Sequence, residues 1–453
     1  MKRWMLYVAG MLVAVSCVKL PVPRTVVPDD YIFGETFSRD TFPRDVRWWE
    51  YFGDTTLNRL EEMAIAGNLD LAAAASRVEA ARKSLPIARA AHLPEVSFEA
   101  SASGGHEPEE GSTERYEVTP TLSWEISLFG ALRYADHAAR AGIGASEWAF
   151  RGVVLSLTAQ VAITYFTLLK YERGLEIAER TCELRRESAA LIDSMFRYGM
   201  ASGVSRDQSR SLVYTAAADV EQYRRSVDQT VSALAVLLGE TPRKIDLQGW
   251  SARLDRDRLP DEVPVGLPSD LLMRRPDVVE AMYKADQAAA RVGLARAERF
   301  PTITLTGSGG LFSSSLKELT TGDPWGWSVG GSLMQPIFAF GKLKRQEQVA
   351  RENYYEAVFG YQQALLQALS DVESALVGLT SGRSQLEQIR MLAAVDEDAA
   401  RKTRALYRSG MTAYLDVIDA ERSWYASELN LSELVAQQYI DYVVLFKALG
   451  GGW

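Results

Sequence analysis

A chain of 453 residues, 47% hydrophobic and 24% charged, is long enough for a large core, and its net charge of −9 carries the wrong sign for a nucleic-acid partner. Three histidines (His92, His106, His137) and two cysteines (Cys17, Cys182) lie far apart and supply no zinc or iron spacing, so no metal centre or other cofactor is expected. The sequence also lacks a nucleophile elbow, a phosphate-binding glycine loop and a histidine dyad, which excludes the common enzyme signatures.

The chain opens with a basic Met1-Lys2-Arg3, twelve apolar residues from Trp4 to Val15, and small residues before Cys17. Twelve apolar residues are too few to span a bilayer as a helix. Residues 1–16 read as a signal peptide that resembles a bacterial lipoprotein signal, with Cys17 the acylated first residue and 17–47 a lipid-anchored extension. Ala14 stands where that signal usually has leucine, and an ordinary cleaved signal is the alternative. Val18 in place of an acidic residue implies, by the same resemblance, sorting to the outer membrane. No later segment approaches twenty continuous apolar residues, so any further crossing falls to strands.

Two patterns follow in each of two stretches, 48–241 and 269–453, separated by a proline-rich segment at 242–268. Residues 116–128 alternate, with Tyr116, Val118, Leu122, Trp124, Ile126 and Leu128 on one side and Glu117, Thr119, Thr121, Ser123 and Glu125 on the other. With Val96, Phe98, Ala100 and Ala102 this predicts a hairpin at about 94–129, closed by a polar loop GGHEPEEGSTER. A second hairpin is predicted at about 301–340 from Ile303, Leu305, Trp327, Val329 and Leu333. One apolar face, one Ser/Thr/Glu face and aromatic ends suit strands between lipid and water, although a single hairpin fits a soluble sheet as well. Four strands cannot close a barrel, so the membrane reading needs several chains.

Proline-free tracts after each hairpin predict very long helices, about 131–198 and 343–409, each followed by a shorter one. Sevenfold tracks run through Val358, Leu365, Val372, Leu379, Leu386, Ala393, Ala400 and Tyr407, and through Val154, Val161, Leu168, Leu175, Cys182, Ala189 and Phe196. Cys182 is thereby a core residue, and Pro86 marks a kink in an earlier helix. The stretches are related by constant offsets: 207 carries ARAAHLP (88–94) onto ARAERFP (295–301), and 211 carries FRYGM (196–200) onto YRSGM (407–411). Such a register indicates two tandem copies of one unit of about 200 residues.

WWEYFGDTTLNRLEEMAIAGNLDL (48–71), LPSDLLMRRPDVVEA (267–281), ARAERFPTITLTGSGG (295–310), QPIFAFGKL (335–343), RSGMTAYLDVIDAERS (408–423) and the terminal KALGGGW together resemble the outer membrane factors, the TolC and OprM type of efflux duct (NodT subgroup), across essentially the whole mature chain. The resemblance implies a mainly α fold with a small β part: a homotrimer whose twelve strands, four per chain, form one membrane β-barrel, above a long α-helical barrel crossing the periplasm. Residues near 242–268 and the C-terminal end would join an equatorial girdle. The implied function is a passive outer-membrane exit duct, with a periplasmic adaptor protein and an inner-membrane pump, proton-driven and of RND type, as partners alongside outer membrane lipid. A type I protein secretion duct is the runner-up, and a lipid-anchored coiled-coil scaffold is the reading from another class. The repeated tryptophan-bearing hairpins argue against the scaffold.

Within this resemblance the glycine turns at Gly199 and Gly410 lie at the periplasmic tip. Arg197, Met200, Arg408, Met411 and Thr412 are the adaptor-contact candidates beside them, and Phe196 flanks the first turn. Asp416 and Asp419, three apart on one helical face, would form two carboxylate rings in a trimer and, with Tyr407, the periplasmic gate. Two solvated carboxylates on an outer face are the alternative. Where the TolC subgroup has an acidic residue and an arginine that link neighbouring helices, this sequence has Ser205 and Thr412.

Overall fold

A computed structural model of the chain describes residues 27–34, 47–107, 111–241, 265–266 and 268–451. Residues 1–16, read above as a signal peptide, Cys17 and most of the proline-rich segment at 242–268 lie outside these residues. After a 3-10 turn at Trp48–Phe52 the helices are α1 (Thr55–Gly67), α2 (Leu69–Ala90), α3 (Ala131–Arg197), α4 (Gly203–Leu237), α5 (Pro276–Ala297), α6 (Lys342–Arg408) and α7 (Tyr414–Ala448). The strands are β1 (Glu95–Glu107), β2 (Gly111–Ile126), β3 (Thr302–Ser313) and β4 (Trp325–Met334). Helices α3 and α6 have 67 residues each, α4 and α7 have 35, and α2 and α5 have 22. Their starts are separated by the offsets of 207 and 211 seen in the sequence. Sixty-seven residues at 1.5 Å each make a helix about 100 Å long.

The chain divides into two compact units, 75–149 with 279–364 and 26–74 with 150–278 and 365–453. The first holds one antiparallel sheet in the order β1-β2-β3-β4. Its register sets Val96, Leu122, Gly307 and Val329 side by side, and Trp124 beside Leu305 and Gly331. The row Ser97, Thr121, Ser308, Ser328 runs on the opposite face, with the Ser308 and Ser328 hydroxyls 2.9 Å apart. One side of the sheet is therefore apolar and the other hydroxylated, as alternation demands. The hairpin differs from expectation in its loop. Strands β1 and β2 pair out to Glu107 and Gly111, so most of the stretch assigned to a polar loop belongs to the ladder. There both faces are polar, and a period of two in hydrophobicity disappears although the backbone pairing continues.

Small residues let the helices of this unit approach closely. A Cβ on Gly144 would stand 2.6 Å from the Tyr283 ring, and one on Gly293 2.4 Å from the Tyr134 ring, a reciprocal fit of α3 against α5. Ala288 and Val292 of α5 pack on Tyr354 and Val358 of α6. Helix α2 continues through Pro86 to Ala90, and the proline leaves the Arg82 carbonyl of the preceding turn without its helical donor.

The second unit is built on aromatic packing. Trp48 stacks on Phe446 at 5.7 Å, and Phe52 meets Phe166 and Tyr439 at 5.1 and 5.9 Å. Asp54 caps α1 by accepting from the Thr56 and Leu57 amides, and its other oxygen accepts from the Tyr165 hydroxyl at 2.8 Å. Arg275 is nearly enclosed, donating to Asp277, Asp371 and the Ala448 carbonyl at the end of α7. Glu61 is fully buried, with no partner for either carboxylate oxygen among the described residues. Burial holds its carboxyl well above the usual range.

The sevenfold track of α6 is buried at Val358, Leu365, Val372, Leu379, Leu386, Ala393 and Ala400. In α3 it drifts: Val161, Leu168 and Cys182 are buried, but Phe196 is exposed, and Arg185 and Ile192 take the inner positions. An ideal helix turns about 20° per heptad relative to a strict repeat, which moves the seam over four or five heptads. Cys182 packs with Ala178, Ala216 and Val220 and has a free thiol. A stretch of α3 that is not continuously apolar has the length and mean composition of a membrane span, but 61% of it is buried within the fold, as in a core helix.

Candidate functional site

The residues singled out in the sequence lie where α3 turns into α4 and α6 into α7, both within the second unit. Each long helix ends in the same way. The Gly199 amide donates to the Phe196 carbonyl at 3.0 Å and the Met200 amide to Met195 at 2.8 Å, while Gly410 and Met411 donate to Tyr407 and Leu406, both at 2.9 Å. These are paired Schellman closures, which require a left-handed residue after the helix. Gly199 and Gly410 have φ of +74° and +76° with open space where a Cβ would stand, so backbone conformation alone calls for glycine.

The second helices start differently. Ser202 caps α4, accepting from the Ser205 amide at 3.0 Å with the two hydroxyls 2.9 Å apart. Ala413 has no side chain with which to cap α7, and the task falls to Asp416, which accepts from the Ala413 amide at 3.2 Å and from the Thr412 hydroxyl. Ser205 gives its amide to the Ser202 hydroxyl and Thr412 gives its hydroxyl to Asp416, so both are engaged at the helix starts. Asp416 and Asp419 are exposed in the single chain, and Asp419 makes no hydrogen bond or ion pair among the described residues.

Tyr407 is half-buried. Its hydroxyl donates to the Met195 sulfur at 3.6 Å, and its ring lies 5.4 Å from that of Tyr414. Burial pushes the Tyr407 phenol up, and burial with Glu421 beside it pushes Tyr414 up to about 12, so both stay neutral at ordinary pH. A groove of about 230 Å³ is lined by Leu184, Leu191 and Ile192 of α3 and by Arg404, Tyr407 and Tyr414. The remaining tip candidates, Arg197, Met200, Arg408 and Met411, are exposed.

Four functional candidates were missed in the sequence. One turn above the tip, Asp193 on α3 pairs with Arg210 on α4 at 2.9 Å, and Arg404 on α6 pairs with Glu421 on α7 at 2.9 Å. The offset of 211 maps Asp193 onto Arg404 and Arg210 onto Glu421, so the two hairpins carry one cross-link with reversed polarity. Hydrogen bonding to Arg197, with Arg210 and Arg206 adding their charge, holds the Asp193 carboxyl below the usual carboxylate range. The signal was available as opposite charges at matched positions. Among the described residues no cluster of three His, Cys, Asp or Glu residues is arranged for a metal.

An open four-stranded sheet with one apolar and one hydroxylated face and two helices of about 100 Å are features expected of a strand-spanning membrane duct, and comparison with known proteins supplies the class. The sequence model of the outer membrane efflux proteins matches residues 60–240 and 267–451. The chain is 33% identical over 434 residues to the probable efflux pump outer membrane protein TtgC of Pseudomonas putida, covering 94% of this chain and 89% of that one. It is 30% identical over 416 residues to the probable outer membrane lipoprotein SilC of Salmonella typhimurium, covering 90% and 89%. The open-state outer membrane channel MtrE of Neisseria gonorrhoeae superposes with a TM-score of 0.81 at 30% identity, covering 95% and 98%. The chain belongs to the outer membrane efflux protein family, and it is an outer-membrane efflux channel component whose relatives are channel proteins.

Proposed function

We propose that three copies of this chain form a passive exit duct that takes substrates from an inner-membrane pump and a periplasmic adaptor protein to the outside of the cell, without enzymatic activity of its own. The observation that carries this is the sheet: β1 and β4 are its two edges, and edges with one lipid-suited face need partners before they can sit in a membrane. Three four-stranded sheets joined edge to edge make a twelve-stranded barrel, wide enough to hold water. Each chain supplies its strands and helices as two tandem copies, 48–241 and 269–453, joined by the segment 242–268, behind a signal peptide (1–16) and an extension anchored through acylated Cys17. These first residues and most of that segment lie outside the described ones, and the reading of Cys17 is supported by its sequence context and by the lipoprotein relative.

At the other end, Asp416, Asp419 and Tyr407 form the gate, and Arg197, Gly199, Met200, Arg408, Gly410, Met411 and Thr412 the adaptor contact. The exposure of both carboxylates and the paired glycine turns support this reading. The family resemblance supports a proton-driven pump of RND type; the sequence holds no nucleotide motif, so energy comes from the pump, and a wide aqueous duct leaves cargo choice to it. Deletion of the gene is expected to sensitise cells to dyes, detergents and antibiotics, with rescue by the wild-type chain. Unchanged sensitivity across the panel would remove the efflux assignment, and a monomeric mass for the native, detergent-purified protein would remove the shared barrel.

A further inference from the structure

We infer that the helical end of the duct opens along the seams between copies of the chain and not between the two helix hairpins of one copy, because a row of cations fastens those hairpins together and has no counterpart at the seam. The inference rests on the three-copy, two-repeat reading proposed above and assigns the opening step within it. The row lies wholly in the second unit, on α3 and facing α7. Lys170 reaches Glu433 at 3.5 Å, Arg173 reaches Glu428 at 3.6 Å, and Arg180 is paired with Glu428 as well. The Arg180 guanidinium also lies 5.2 Å from the centre of the Trp424 ring, and that of Arg185 lies 5.3 Å from the Tyr425 ring. Helix α4 joins the fastening: Arg185, 5% exposed, donates to the Leu212 carbonyl at 3.2 Å, and the Tyr425 hydroxyl donates to Asp219 at 3.2 Å. From Lys170 to Arg185 there are 15 residues, about 22 Å of helix. One exposed ion pair holds little, but several shared by the same two helices, with two of the cations stacked on aromatic rings, act as one strap.

The duplication identifies what stands at the matching junction. Contacts inside one repeat recur in the other: the Asn68 side-chain amide donates to the Leu237 carbonyl at 2.9 Å, and Arg275, 207 residues on, donates to the carbonyl of Ala448, 211 residues on, at 3.2 Å. In a closed ring of three chains the junction of α3 with α7 inside one chain therefore repeats as a junction of α6 with α4 of a neighbouring copy. The offset of 211 carries Lys170, Arg173, Arg180 and Arg185 onto Ser381, Ser384, Met391 and Asp396. It relates Trp424, Glu428 and Glu433 to Val213, Ala217 and Gln222. Every ion pair of the strap and both of its cation–ring stacks are lost at the mapped positions. The seam offers instead apolar surface that the single chain leaves exposed, with Met391 50%, Val395 66% and Tyr214 74% accessible. Apolar burial against a second copy is non-directional and lets one helix slide on another, whereas the strap has to break before its helices part. The two hairpins of one copy thus move together, and the bundle parts at the seams.

The test uses the full chain, purified in detergent and reconstituted in planar bilayers. Ser381→Cys/Gln222→Cys, bridged by a short bis-maleimide, is expected to give covalently linked chains on a denaturing gel and to cut the frequency of full openings at least fivefold. Lys170→Cys/Glu433→Cys, bridged in the same way, is expected to link within one chain and to leave openings within twofold of the wild type. Single-cysteine variants control for Cys182. Ser381→Lys/Gln222→Glu transplants one pair of the strap to the seam and should also make openings rarer, with the effect relieved by high salt. Linked chains with unchanged openings, or openings abolished by the bridge within one chain, would overturn the inference. So would the absence of linked chains from a protein whose native mass is that of a trimer. A monomeric native mass is the separate failure of the three-copy reading.

Discussion

The two reversed ion pairs above the tip make a prediction that the molecule itself constrains. Arg404 and Glu421 are 28% and 11% exposed and 2.9 Å apart. Unit charges at that distance interact by about 1.4 kcal/mol in the dielectric of water and about 6 kcal/mol at an effective dielectric of 20. Arg404→Glu replaces this attraction by repulsion, and side-chain rotation relieves most of it, so local opening of the α6–α7 turn should become easier by about 1–3 kcal/mol. Hydrogen exchange of amides between Leu406 and Asp416 should accordingly accelerate about 5- to 150-fold, with the α3–α4 turn unaffected. Glu421→Arg should do the same. The double variant Arg404→Glu/Glu421→Arg should recover most of the protection, because the Asp193–Arg210 pair already shows the opposite polarity at the matched positions. If the double variant exchanges as fast as the worse single one, the pairs are not equivalent cross-links and the reasoning fails.

Gly199→Ala and Gly410→Ala should each cost about 1–2 kcal/mol with no steric clash, read as faster exchange of the Met200 and Met411 amides, and Gly410→Asn should cost less. Asp416→Ala removes the substitute cap of α7 and should fray its first turn by about 0.5–2 kcal/mol, whereas Asp419→Ala should leave the helix intact. If both carboxylates face the pore, the double variant should raise single-channel conductance and weaken block by divalent cations, and unchanged conductance and block would remove them from the gate. Glu61 has its folded pKa raised by burial, so its stabilising share is complete below the unfolded value and is lost as pH rises through the raised one. Glu61→Gln should therefore flatten the fall in thermal stability that sets in as pH rises above the ordinary carboxylate value, and change little below it. Identical pH profiles for the two proteins would place the carboxylate in contact with water or a partner.

How much of this was legible beforehand follows from how local each cause is. The long helices, the glycine turns and the alternating strands are written in nearest-neighbour chemistry: no proline for 67 residues, a left-handed glycine after the last turn, apolar side chains every second position. The extra strand length beyond Ser103 was invisible because its residues are polar on both faces and only the pairing partner decides their conformation. The drift of the buried seam in α3 depends on how far the helix departs from 3.5 residues per turn, which neighbours set. Asp416 carried a double meaning that spacing could not resolve. A carboxylate three residues into a helix can reach back to the amide of the residue that starts it, and Asp416 does so to Ala413. The sequence pattern that suggested a pair of pore carboxylates is therefore, for one of the two, first a consequence of how α7 begins. Whatever Asp416 contributes to a gate must be compatible with its hold on the Ala413 amide, and Asp419, which has no such tie, is the cleaner probe of the pore.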